Sequence, residues 1–197
     1  MKAVMLSIQP KWCELIASGK KTVEVRRTKP KIDVPFKCYI YCTKGDWLTS
    51  VNGKVQKPNN MVIDLSADSQ VEELNGKVIG EFVCDYITPF RPKALLGDSG
   101  IVKTSCVKLG DLIEYAPNKP FPKDHLYGWH ITDLVIYDKP KELSEFKHEC
   151  NGVCVDTKNK VKCDRIMVDG FSCDGLLTLK RPFQSWGYVE ELKGESE

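Results

Sequence analysis

The stretch KAVMLSIQPKWCELIASGKKTVEVR, running from Lys2 to Arg26, decides how the rest of the chain is read. Lys2 to Ile8 is rich in β-prone apolar residues and stops at Gln9-Pro10. Pro10 then suits the first turn of a helix, where its missing N–H removes no hydrogen bond. Trp12, Leu15 and Ile16 recur at helical spacing and predict a buried stripe, and Gly19 supplies the stop. From Lys21 to Arg27 the pattern changes to strict alternation. Val23 and Val25 take one face; Thr22, Glu24 and Arg26 take the other. The sequence thus predicts strand, helix, strand, with charged groups lined up on one side of the second strand.

Working outward, Pro30 and Pro35 bracket a connection to a strand over Phe36–Thr43. In it Cys38, Ile40 and Cys42 alternate with Lys37, Tyr39 and Tyr41. Leu48 to Val55 reads as a hairpin on an Asn52-Gly53 turn, with a helical turn expected near Glu72. Val78, Ile79, Phe82 and Val83 mark another strand, in which Gly80 suggests a bulge. Ser105–Tyr115 is a second helix candidate through Leu109, Leu112 and Ile113, weakened by Gly110. Strands are expected over Trp129–Tyr137 and Gln184–Leu192. The expected fold is therefore mostly β (α+β): a β-barrel with one to two flanking helices and a cysteine-rich insert. Residues 1–197 are expected to form a single domain, with a variable hairpin and loop insertion at 44–76 and the Cys-rich insert at 148–175.

Composition excludes several classes. The 197 residues carry 29 Lys plus Arg and 27 Asp plus Glu, a formal net charge of +2, so the chain is no polyelectrolyte tail. With 42% hydrophobic residues it can bury a sizeable core. No apolar run approaches the roughly 20 residues of a membrane span, and no cleavage site follows the first strand. A cytoplasmic protein is expected. Charge is nonetheless uneven: residues 1–60 hold 12 basic and 4 acidic side chains, the remainder 17 and 23. Lys20, Lys21, Arg26, Arg27, Lys29 and Lys31 crowd around the lone carboxylate Glu24, a local field suited to phosphate.

Leu6–Trp12, Glu14–Ile16 and Ser18–Arg26, with a Gly-x-Lys-x-x-Glu-x-Arg segment at Gly19, Lys21, Glu24 and Arg26, resemble the ASCH domain. Gly128-Trp129-His130 and Gln184–Glu190 resemble a subgroup from low-GC Gram-positive bacteria and their prophages. The resemblance implies a PUA-like barrel and recognition of RNA, a nucleotide or a modified base. Some members of the family are small hydrolases, nucleoside amidohydrolases or a ribonuclease. In the amidohydrolases the motif supplies a lysine and, three residues on, a threonine nucleophile. Lys21 matches the lysine, whereas Glu24 occupies the threonine position, and a carboxylate does not furnish a hydroxyl nucleophile.

The residues themselves support a basic cleft formed by Lys21, Glu24 and Arg26, flanked by Lys20 and Arg27. Glu24 can orient the cations or accept from a base's exocyclic amine, and Arg26 presents a planar fork of donors. Tyr41, Trp129 and Trp186 are candidates for a stacking wall. If the protein is an enzyme, Lys21 and Glu24 are its catalytic candidates. Asp111 and Glu114, in the second helix candidate, can present a carboxylate to the pocket or form a solvated helix face, and the solvated face is the expected reading. The nine cysteines include Cys150, Cys154, Cys163 and Cys173, an irregular set that suggests a structural zinc staple for the insert. An insert so stapled is the alternative, protein-interaction reading.

Overall fold

The computed structural model describes residues 1–45, 49–51, 54–56, 71–96, 99–120, 124–150 and 175–192. β1 (Lys2–Ile8) leads directly into α1 (Pro10–Ala17), with Pro10 in the first turn. Gly19, at φ +71, ends the helix and donates its N–H to Ile16 O at 2.8 Å. β2 (Val23–Arg26) and β3 (Phe36–Cys42) follow as the alternation predicts.

In the 44–76 insertion, β4 (Thr49–Val51) pairs with β5 (Lys54–Gln56) on one side and β6 (Val71–Glu73) on the other. The strand pair predicted around Asn52-Gly53 is present, although the turn itself lies outside the described residues. The helical turn expected near Glu72 is instead strand, because Glu72 pairs with Ser50.

β7 (Val78–Cys84) and β8 (Ile87–Phe90) precede two short helices, α2 (Gly100–Ser105) and α3 (Leu109–Tyr115). The single helix expected over Ser105–Tyr115 is thus broken. Cys106 takes the left-handed conformation at φ 56 and ends α2. The strand expected over Trp129–Tyr137 is also two: β9 (Leu126–His130) and β10 (Thr132–Lys141), with Asp133 at φ 48. β11 (Lys147–Glu149), β12 (Leu176–Thr178) and β13 (Trp186–Glu190) complete the order. Among the described residues, no helix is long and apolar enough to cross a membrane.

A five-stranded sheet runs β10-β7-β3-β1-β13, with β1 and β3 parallel and the other neighbours antiparallel. β1 is buried on both faces. Val4, Leu6 and Ile8 join Cys38, Ile40, Cys42, Phe82 and Trp129 in one cluster, into which α1 inserts Cys13 and Ile16. Ala3 and Met5 join Tyr39, Tyr41, Phe146 and Leu179 on the other. Between β3 and β7 the register skips Ile79, a bulge beside Gly80. A Cβ at Gly80 would stand 2.4 Å from Val135 O, so β10 passes too close for any side chain there.

The second sheet, β2-β9-β8, packs through Trp129 onto the same core as α1. The expected barrel is not closed: backbone pairing leaves separate sheets. Where β2 faces the ends of β1 and β13, side chains lace the gap in place of a ladder. Arg26 Nη2 donates to Ser7 O (2.9 Å), and Trp186 Nε1 donates to Thr28 Oγ1 (3.0 Å). Lys31 N donates to the Tyr188 hydroxyl (2.7 Å).

Candidate functional site

Three chain segments converge where α1 ends. Lys21 N donates to Leu15 O and Thr22 N to Thr104 O, each at 2.9 Å, tying the start of β2 to both α1 and α2. The left-handed turn at Cys106 leaves Ser105 O facing Lys21, whose Nζ donates to it at 2.8 Å. The same ammonium donates to Val23 O (2.9 Å) and lies 3.2 Å from Glu24 Oε2. All three Nζ donors are thus engaged, in a side chain only 1% exposed.

Glu24 Oε1 faces Arg26 Nε at 3.1 Å. The Nε hydrogen is not well aimed at it, so this contact is a charge pair rather than a good hydrogen bond. Arg26 Nη1 donates to Ser185 Oγ (3.3 Å) and Nη2 to Ser7 O (2.9 Å). Each Nη keeps a second hydrogen for which no partner is found among the described residues. Burial of three charges is sustained because each has an opposite charge or a carbonyl within reach.

This triad forms the floor of a recess of about 450 Å³. Ser7, Gln9, Thr43 and Gln184 add polar atoms to its walls, and α3 contributes Asp111, Leu112 and Tyr115. Lys11 and Trp12 stand at the mouth. The Trp12 ring is approached by Lys11 Nζ at 4.6 Å and Lys21 Nζ at 5.2 Å from its centroid, within cation–π range. Tyr115 is held by Arg27, whose Nε donates to its carbonyl (2.7 Å) and whose guanidinium lies 4.6 Å from its ring centroid. Behind the floor, burial pushes the Cys13 thiol well above its usual range, and neighbouring Cys42 adds to the rise.

Lys21, Glu24 and Arg26 therefore lie together as the motif predicts, and Arg27 reaches the recess through Tyr115. Lys20 is exposed. The proposed aromatic wall lies elsewhere. Trp129 is fully buried, edge-on to Phe36 and packed on Trp186, and Tyr41 is buried on the far face of the five-stranded sheet. Trp186 is half-buried, its ring engaged by Trp129 and Tyr188 and its N–H by Thr28. None of the three lines the recess.

Trp12 and Tyr115 do. Helical spacing places Trp12 in the core stripe, and it does pack against the main core cluster while its ring also lines the recess. Of the two helix carboxylates, Asp111 lines the recess while staying exposed, so both readings apply to it, and Glu114 does not line the recess. Of the zinc candidates, Cys150 is half-buried, and its N–H donates to Gly175 O. Cys154, Cys163 and Cys173 lie outside the described residues. Among the described residues, no three His, Cys, Asp or Glu side chains cluster to hold a metal ion.

Residues 6–189 match the family model of the ASCH domain, from the end of β1 through α1 and β2 to all but the last residue of the closing strand. The chain belongs to the ASCH family. Crystal structures of an ASCH protein from Zymomonas mobilis are similar to this ASCH domain, with 18% identity and a TM-score of 0.48. The match covers 72% of this chain and 73% of that one. Two single-residue variants of the same Zymomonas mobilis protein match to the same degree, covering 77% and 74% of their own length. No curated protein matches the chain.

Proposed function

We propose that this ASCH domain binds single-stranded RNA, or a nucleotide-like unit of it, by taking one base into the recess. One observation carries the reading: a single concavity is bounded at once by a buried Lys21–Glu24–Arg26 floor and by two half-exposed aromatic rings at its rim. Its volume falls in the range of small-ligand sites, about 300–1,000 Å³. Unpaired bases are read by stacking combined with contacts to their edges, which is the division of labour between rim and walls here.

Cation placement supports a strand over a free nucleotide. Lys21 is fully engaged, and Arg26 is largely so, which leaves little inside to neutralise a terminal phosphate. Exposed Lys11 and Arg27 border the mouth, where a backbone would pass. Lys21 is arranged as a fixed cation. Acting as a general base would require its amine to leave three oxygen acceptors.

Fluorescence anisotropy with a short single-stranded RNA tests the reading. Trp12→Leu combined with Lys11→Gln is expected to weaken binding about tenfold or more, given the 1–3 kcal/mol typical of one base–aromatic stack. Parental affinity in that double variant, with the fold intact by circular dichroism, would overturn it.

A further inference from the structure

Resting on that reading, the geometry points to Asp111 as the residue that selects the base, and to guanine as the base selected. Each carboxylate oxygen of Glu24 faces a buried cation, Oε2 Lys21 and Oε1 Arg26, in a side chain only 8% exposed, so Glu24 is committed to the floor and is poorly placed to read a base edge. Asp111 is the other carboxylate lining the recess. It is exposed, forms no ion pair or hydrogen bond with the described residues, and sits one helical turn before Tyr115 on α3. A base stacked on the Tyr115 ring would therefore meet a carboxylate along the same helix face.

A carboxylate accepts only, through two oxygens side by side. Guanine alone among the four RNA bases offers two adjacent donors, N1–H and the N2 amine, on its Watson–Crick edge. Adenine and cytosine set a ring-nitrogen acceptor beside their amine, and uracil flanks its single N–H with two carbonyls. Each of these three would place an electron-rich atom against Asp111, and repulsion as well as lost bonding separates them from guanine. The ligand class is thus a guanine-bearing position in single-stranded RNA.

The test uses the full chain and uridine-rich nonamers that differ at one central position: guanosine, inosine, adenosine or cytidine. A bidentate base contact typically separates the right base from the wrong one by about tenfold or more, so the guanosine strand is expected to bind about tenfold more tightly than the adenosine strand. Inosine, which keeps N1–H and lacks the amine, is expected between them. Asp111→Asn, whose amide opposes a donor to one of guanine's donors, is expected to bring the guanosine strand down to the level of the adenosine strand. Equal affinity of all four strands for the parent protein would overturn the guanine assignment while leaving RNA binding in place. A guanosine preference that survives Asp111→Asn would overturn the role of Asp111. Failure to bind any strand would overturn the binding reading itself, and this inference with it.

Discussion

The floor and the rim of the recess are built from similar residue types to opposite ends. On the floor, Lys21, Glu24 and Arg26 are nearly sealed from solvent and pair with one another or with carbonyls of Val23, Ser105 and Ser7. At the rim, Lys11 and Asp111 are exposed, and Trp12 and Tyr115 present partly open rings. Charges that satisfy each other at close range hold three chain segments in place. Charges left to water are available to a ligand. The residues that spell the family motif are mainly the framework of the recess, and in the proposed binding mode recognition would fall to side chains outside it.

The sharpest way to break this comparison is to remove the floor's carboxylate. Glu24→Gln strands two buried cations and is expected to lower unfolding stability by about 3–5 kcal/mol, measured by urea titration. A loss under about 1 kcal/mol would mean that the floor is no structural keystone. At the rim, Trp12→Leu is expected to weaken RNA binding roughly tenfold while shifting the urea midpoint far less than Glu24→Gln does. Comparable stability losses in both variants would erase the distinction.

A finer probe is salt. Each phosphate contact on a single strand contributes about 0.7 to the slope of log affinity against log salt. Lys11→Gln is expected to flatten that slope by about this amount, and an unchanged slope would remove Lys11 from the backbone path. Thiol chemistry separates interior from surface more gently. Burial raises Cys84 to about 12 and Cys38 well above its usual range. Brief iodoacetamide treatment at pH 8 should therefore label half-exposed Cys106 before buried Cys13, Cys38 or Cys84, read by peptide mass spectrometry. Metal analysis addresses the remaining cysteines, and about one zinc per chain is the outcome that fits a four-thiolate staple.

Much of this architecture was legible in the sequence because local signals agreed. Pro10 and Gly19 bound the first helix, and the alternation from Val23 to Arg26 placed Glu24 and Arg26 on one face. What was not legible depends on tertiary partners. The helix break at Cys106 follows no glycine or proline; it is fixed by Lys21 claiming the Ser105 carbonyl and by Cys106 Sγ contacting Lys20 O. Tyr41 looked free because its neighbours alternate with cysteines, yet the second face of its sheet is covered by Phe146 and Leu179, distant in sequence. Trp12 does two jobs at once: it packs against the core as its spacing implied, and its ring also lines the recess beside two lysines.

The gap between β2 and the ends of β1 and β13 has one more consequence. A backbone ladder resists any single substitution, since every residue can supply its rungs. Here the closure is written in side chains, and the same guanidinium that lines the recess also fastens two sheets together through Ser7 and Ser185. Occupancy of the recess and the grip between the sheets are thereby mechanically joined, so that a bound strand should slow amide exchange along the Ser7 and Trp186 edges as well as around itself.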